Sequence, residues 1–263
     1  MQSMVQEVYR SAEILLKKPH FHDCHQIILI SKGDVEFCVN GNYFTAGAGN
    51  IAIFSRYENH SVRVKSEEYE RYVLHIDPTV VNRKSPVYAL LTDRPVGFLN
   101  IIDTSSSTGD IIDIFEHLIY EHNSVDKFTD EMEQLLVKQL LIVIYRCTNL
   151  YFDGLQDDIV TDVKRQFENN YSEQYSLEKL ARQYNISVSS LSHRFRSVTG
   201  TSVMEYLQSC RIAHAKRMFA DADSNIGEIV QKCGFSDSSN FSRTFKKLNG
   251  MSPTDFRKKY RAE

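Results

Sequence analysis

The stretch from Asn225 to Phe256 reads NIGEIVQKCGFSDSSNFSRTFKKLNGMSPTDF, and the stretch from Ser176 to Tyr206, SLEKLARQYNISVSSLSHRFRSVTGTSVMEY, follows the same plan. At an offset of 49, Leu177, Leu180, Ile186 and Ser187 meet Ile226, Ile229, Phe235 and Ser236. One inserted residue moves the offset to 50, and Ser192, Phe195, Arg196, Gly200, Ser202 and Tyr206 then meet Ser242, Phe245, Lys246, Gly250, Ser252 and Phe256. Two copies make a duplicated module rather than a solenoid. Each copy reads as a short amphipathic helix, a break of three or four residues, and a second helix. The break is Asn185-Ile186-Ser187 in one copy and Gly234-Phe235-Ser236 in the other. A buried turn residue, Ile186 or Phe235, precedes a serine placed to cap the second helix. Leu191 and Phe195, or Phe241 and Phe245, anchor that helix at i, i+4, and its other face is polar and basic. This is the plan of a helix-turn-helix, whose second helix enters the major groove. One such copy reads equally well as a helical hairpin with a solvated face. Two, both with a basic exposed face, favour nucleic acid.

Charge supports the division of labour. The 263 residues carry a net charge of −3, which excludes a uniformly basic coat. Residues 1–150 hold 14 basic and 20 acidic side chains; residues 151–263 hold 17 and 14. Such asymmetry fits two domains with different partners. A hydrophobic fraction of 42% is enough for a sizeable core, so disorder is not expected. Five irregularly spaced cysteines argue against a disulfide scaffold and fit a reducing compartment. The start, MQSMVQEVYRSAE, lacks the basic and apolar segments of a signal peptide. The longest apolar run, Leu140 to Tyr145, is far short of the roughly 20 residues that span a bilayer. The expectation is a soluble cytoplasmic protein with no membrane partner.

Upstream the texture is β. Ile27 to Ile30 is a short apolar run, Lys32-Gly33-Asp34 a turn, and Val35 to Val39 alternates before the hairpin signal Asn40-Gly41-Asn42. Tyr43-Phe44, Ile51 to Phe54 and Tyr72 to Ile76 complete a series of short strands, expected to form an antiparallel sandwich or small barrel. At Gly109 the period changes. Ile111, Ile114, Phe115, Leu118 and Ile119 mark an amphipathic helix, and Leu135, Leu136, Leu140, Val143 and Ile144 a second one starting near Thr129. The second has apolar residues on more than one side, which suits packing on its own sheet or a dimer interface. Tyr151 to Asp158 reads as a linker, and no strand is expected after it.

The second copy resembles the signature of the AraC/XylS family. The residues that carry the likeness are Ile226, Ile229, Gly234-Phe235, Asp237, Ser239, Phe241-Ser242-Arg243, Phe245-Lys246-Lys247, Gly250, Ser252-Pro253 and Phe256-Arg257. The first copy, with Glu205-Tyr206-Leu207, Arg211 and Ala215, resembles the upstream half. Val230 stands where the family usually has Ala, and Asn240 where an aromatic is common. The resemblance covers about Tyr151 to Arg261. It implies a seven-helix unit with two helix-turn-helix motifs joined by one long helix, about Val203 to Phe219. It further implies double-stranded promoter DNA, RNA polymerase and a second copy of the chain as partners, and favours activation. The first recognition helix would present Ser189, Ser192, His193 and Arg196. The second would present Ser238, Ser239, Asn240 and Arg243, with Arg243 the strongest candidate for a base contact. Lys246 and Lys247 suit phosphates.

His20-x-His22, Gln26, Gly33, Gly47-x-Gly49 and His60 resemble the cupin-like barrel at the front of this family, which implies effector sensing and dimerisation. His22, Gln26, His60, Tyr72 and His75 are the inward-facing candidates for effector contact. The resemblance implies effectors among sugars, small acids and other ligands, and no residue in the sequence chooses among them. His20, His22, Gln26 and His60 also match the spacing of metal-binding cupins, with Gln26 where that pattern has Glu. Glutamine is a poor ligand, so neither a metal nor another cofactor is expected. The competing reading is a metal-dependent cupin enzyme with a helical tail. It wants a full ligand set and a catalytic acid or base, and the sequence offers no such constellation and no catalytic residue. The expected architecture is therefore α+β in two domains: a cupin-like antiparallel β-barrel over 1–108 with a helical hairpin, 109–150, as dimerisation element, and an all-α double helix-turn-helix domain over 151–263.

Overall fold

The computed structural model describes residues 3–13, 16–39, 41–81, 86–92, 100–124, 126–148, 158–220 and 225–261. The chain divides into two compact units, Met1–Leu155 and Gln156–Glu263. The expected linker lies outside the described residues except for Asp158, which opens a helix.

The first unit is built on two antiparallel sheets. Its strands are β1 (Val5–Ser11), β2 (Leu16–His20), β3 (His25–Lys32), β4 (Val35–Val39), β5 (Asn42–Ala46), β6 (Asn50–Phe54), β7 (His60–Val64), β8 (Glu70–Ile76) and β9 (Ile101–Asp103). One sheet runs β1-β8-β3-β6-β9 and the other β2-β7-β4-β5. The apolar run Ile27 to Ile30 does not alternate because both faces of its sheet are covered. Ile28 and Ile30, with Val73 and Phe54, pack against Val35, Phe37 and Val39 of the smaller sheet. Ile27 and Leu29, with Leu74 and Ile76, pack on the opposite side against helices. Those helices are α2 (Thr108–His122) and α3 (Thr129–Cys147); a short α1 (Ala89–Thr92) joins the same core. Ile111, Ile114, Phe115 and Leu118 form the buried stripe of α2, as the period predicts. Truncating a fully buried residue such as Phe115 costs about 3–5 kcal/mol. On α3 the buried stripe is Leu136, Val137, Leu140, Leu141 and Ile144, while Met132, Leu135 and Ile142 stay exposed.

In the second unit the described helices are α4 (Asp158–Asn169), α5 (Leu177–Gln183), α6 (Val188–Thr199), α7 (Val203–Ala220), α8 (Ile226–Lys232), α9 (Ser238–Asn249) and α10 (Pro253–Arg261). The duplication holds at the level of single backbone bonds. Asn185 N–H donates to Arg182 O and Ile186 N–H to Ala181 O; Gly234 N–H donates to Gln231 O and Phe235 N–H to Val230 O. Both first helices thus end on the same two-bond stop, and Asn185 (φ 54°) and Gly234 (φ 76°) hold its left-handed position. Both second helices end on a left-handed glycine, Gly200 or Gly250. The caps differ. Ser187 Oγ accepts from Ser190 N–H at the start of α6, as expected. At α9 the cap is Asp237, whose Oδ1 accepts from Asn240 N–H at 2.7 Å, and not Ser236. The inserted residue lies before the cap, so Ser187 corresponds to Asp237 and the second turn is one residue longer.

Candidate functional site

Two recognition helices are exposed by this frame. On α6, Leu191 and Phe195 are buried, while Ser189, His193 and Arg196 are exposed and Ser192 is half-buried. Arg194 adds an exposed cation that the sequence comparison passed over. On α9, Phe241, Thr244 and Phe245 are buried, whereas Ser238, Ser239, Arg243, Lys246 and Lys247 are exposed and Asn240 is half-buried. The backbone N–H of Asn240 is taken up by the cap. The Asp237 carboxyl lies below its ordinary range, chiefly because the Asn240 backbone N–H binds the charged form. Lys247 Nζ approaches Glu205 Oε1 at 3.7 Å, an exposed pair of little energetic weight. Hydroxyl, amide and guanidinium groups within the first two turns of a helix suit base edges, and the lysines of the last turn suit phosphates.

The support of α9 is aromatic. Phe235, Phe241, Phe245, Phe219 and Phe256 pack edge-on or tilted, with ring centroids 5.2–6.4 Å apart. Arg211 fastens this cluster to the chain before α5. Its Nε donates to Tyr171 O (2.8 Å), its Nη2 to Glu173 O (2.7 Å), and its guanidinium lies 5.6 Å from the centre of the Phe235 ring. Beside it, burial pushes the Cys233 thiol up to about 12, so this cysteine is an inert core residue.

In the first unit the space between the sheets holds a narrow, partly open cavity of about 20 Å³. Register explains its polar lining. Pairing of β2 with β7 sets His20 opposite His60, and pairing of β3 with β8 sets Gln26 opposite His75. His20, Gln26 and His60 line the cavity. His22 touches this group, with ring centroids 5.4 Å from His60 and 5.0 Å from His75. Gln26 Nε2 donates to His75 Nε2 at 2.7 Å, while His75 Nδ1 donates to Glu7 Oε2 at 2.8 Å. His60 stacks on Phe54 and donates from Nδ1 to Glu58 O, which leaves Nε2 as its acceptor nitrogen. Four of the five expected effector-contact residues therefore gather, and Tyr72 corrects the expectation. It lies on the other face of β8, packs on Phe115 and donates to Glu116 Oε1 at 2.6 Å. Burial first, and then Glu116, push its phenol up to about 12. The cavity lining adds Tyr9, Tyr69 and Arg71, which the sequence did not point to.

The imidazoles are close enough to interest a cation. His20, His22 and His60 each bring one ligand nitrogen within 4.8 Å of the others, and His22, Cys24 and His75 form an overlapping group. Neither group includes a carboxylate.

Fold and sites together define a class: a regulator in which a small-molecule-binding β module is joined to a DNA-reading double helix-turn-helix. Comparison with known proteins agrees. An AraC-like ligand binding domain matches residues 13–119 and a helix-turn-helix domain matches 180–259. The transcriptional activator RhaS of Klebsiella pneumoniae is 23% identical over 243 residues, 90% of this chain and 86% of that protein. The activator RhaR of Yersinia pseudotuberculosis is 23% identical over 251 residues, 92% of this chain and 84% of its own length. Among solved structures, an apo point variant of ToxT of Vibrio cholerae superposes with a TM-score of 0.62 at 15% identity, covering 95% of each chain. The chain joins an AraC-like ligand-binding domain to a helix-turn-helix domain and is an effector-controlled, DNA-binding transcription regulator. Among the described residues, no helix is long and apolar enough to cross a membrane.

Proposed function

We propose that this regulator is a cytoplasmic activator that reads promoter DNA with α6 and α9 and makes its RNA polymerase contacts from the bound site. Arg243 reads a guanine from the first turns of α9, with Ser238, Ser239 and Asn240 beside it. Ser189, Ser192, His193 and Arg196 occupy the equivalent places on α6, and Lys246 and Lys247 hold phosphates. Two recognition helices in one unit suit two major-groove segments about 34 Å apart. The observation that carries this reading is the repeated pairing of a buried aromatic anchor with an exposed, capped, basic helix face. The compartment follows from the work, because the DNA to be read is there.

Small-molecule control is assigned to the cavity between the sheets, through His22, Gln26, His60 and His75. The imidazoles are read as cavity wall rather than as a catalytic metal centre. What supports this is Gln26, whose amide is engaged by His75, in the position where a ligating carboxylate would be wanted. Metal analysis of the purified chain checks it: stoichiometric iron or manganese, with activity lost in His60→Ala, would favour an enzyme. The dimer contact is assigned to the outer face of α3, where Met132, Leu135 and Ile142 lie exposed on one helix. A fragment of residues 156–263 is expected to be monomeric and to bind DNA; a dimeric fragment would move the interface.

The deciding experiment is a fluorescence-anisotropy titration of the full chain on its own upstream DNA and on a scrambled duplex, at two salt concentrations. The expected specificity ratio exceeds about 10³ at physiological salt, with a shallower salt slope for the specific duplex. Equal affinity for both duplexes would overturn the reading.

A further inference from the structure

The cavity contains a charge with no carboxylate against it among the described residues. Arg71 is 5% exposed and faces inward from β8. Among the described residues its guanidinium has no carboxylate within 4.0 Å: Nη1 donates to the carbonyl oxygen of Glu13 at 3.1 Å, and the group lies 5.3 Å from the centre of the Tyr69 ring. Among the described residues no aspartate or glutamate lines the cavity. Burying an ion without a counter-ion is costly, and a planar five-donor fork is the group best matched to a carboxylate. Among the described residues one further polar atom is buried there with no hydrogen-bond partner, Gln26 Oε1, while the Tyr69 hydroxyl is held by the Arg71 side chain. The register arranges them in order. Arg71, Val73 and His75 succeed one another on the inner face of β8, opposite Ile30, Ile28 and Gln26 of β3. From Arg71 to His75 is about 13 Å at a rise of roughly 3.3 Å per residue. One end therefore offers a cation and a phenol, the middle is apolar (Ile28, Phe37, Val73), and the far end offers an acceptor, Gln26 Oε1.

We propose that the effector is a small hydroxy-carboxylic acid: its carboxylate seats on Arg71, its carbon chain lies along Ile28, Phe37 and Val73, and its hydroxyl donates to Gln26. A single guanidinium matches one negative charge, which suits a carboxylate rather than a phosphate dianion. This inference rests on the reading of the cavity as the effector site.

The probes are 6-hydroxyhexanoate and 1,6-hexanediol, which share a chain and a hydroxyl and differ in the carboxylate. Each is added at 10-fold steps to the full-length protein at fixed ionic strength, and thermal unfolding is followed. The acid is expected to raise Tm by about 2 °C or more beyond the diol at millimolar concentration. Arg71→Met is expected to abolish that difference. Arg71→Lys, which keeps the charge but loses the fork, is expected to shrink it and serves where the methionine variant does not fold. Equal shifts with acid and diol, or a difference that survives both substitutions, would overturn the anion while leaving the cavity as a small-molecule site. Stabilisation through Arg71 with no change in affinity for the upstream duplex would uphold the anion site and overturn its role as effector.

Discussion

The two helix-turn-helix copies trace the same backbone and are held by different means. In the first, the left-handed turn residue is Asn185, exposed, and the cap is the uncharged Ser187. In the second the same position is Gly234, buried, and the cap is the carboxylate of Asp237. A Cβ on Gly234 would stand 2.4 Å from Ser172 O, because the chain before α5 presses on this turn. The same loop is tied down by Arg211 and by Gln174, whose Nε2 donates to Gly234 O at 3.1 Å. One backbone shape thus imposes two different sequence requirements. A solvent-facing turn needs only a residue that tolerates positive φ, whereas a turn with backbone packed on it needs the absence of a side chain.

Breaking that difference gives the largest effect. Gly234→Ala combines a left-handed penalty with a backbone clash and is expected to cost about 2–4 kcal/mol. Asn185→Ala carries the first penalty alone, about 1–2 kcal/mol. Amide exchange at Phe241 and Phe245 against Leu191 and Phe195 reads each copy separately, and equal losses would show that the turns are equivalent after all. Next comes function. Arg243→Ala is expected to weaken specific DNA binding by about 1–3 kcal/mol and to relax preference at one base pair. Lys246→Ala should weaken specific and random DNA alike. Were Arg243→Ala to lose both equally, its base contact would be wrong. The smallest effect concerns acid. The Asp237 carboxyl is lowered in the folded state, so its contribution is present above the unfolded carboxyl value near 4 and is lost as pH falls through the lower folded value. Asp237→Ser copies the cap of the first module. Below pH 4 the difference in Tm between wild type and this variant should shrink; a constant difference would show that the carboxylate acts only as a hydrogen-bond acceptor.

Much of this was legible because local rules and global fold agree. The repeat exposed the helices, their turns and the buried anchors. The signal Asn40-Gly41 marked a real hairpin, with Val39 paired to Asn42 and Gly41 at φ 89°. What escaped has physical causes. Strands β1, β2, β7 and β9 are short, irregular in register or rich in polar residues, so no period stands out over their length. The facing of Tyr72 was illegible for a different reason. Its sheet is covered on both sides, hydrophobic residues fill both parities, and the alternation that assigns a face is erased. The same erasure hid Arg71, since an arginine on a strand ordinarily reads as a solvent residue. The cap at Asp237 was missed by one position because the insertion between the copies could be placed on either side of Ser236.

The two-faced sheet bears on how such a protein changes its preferences over generations. Along β8, residues 71 and 73 border the cavity and 75 follows on the same face beside Gln26, while 72, 74 and 76 are pressed against the helical layer. Two vocabularies are interleaved on one strand, one written in odd numbers and one in even. On the proposed effector reading, drift in the odd set alters which molecule is welcomed and leaves the scaffold standing; drift in the even set disturbs the scaffold first. A lineage can therefore explore new chemical signals in single-letter steps along β8 without rebuilding the layer behind it.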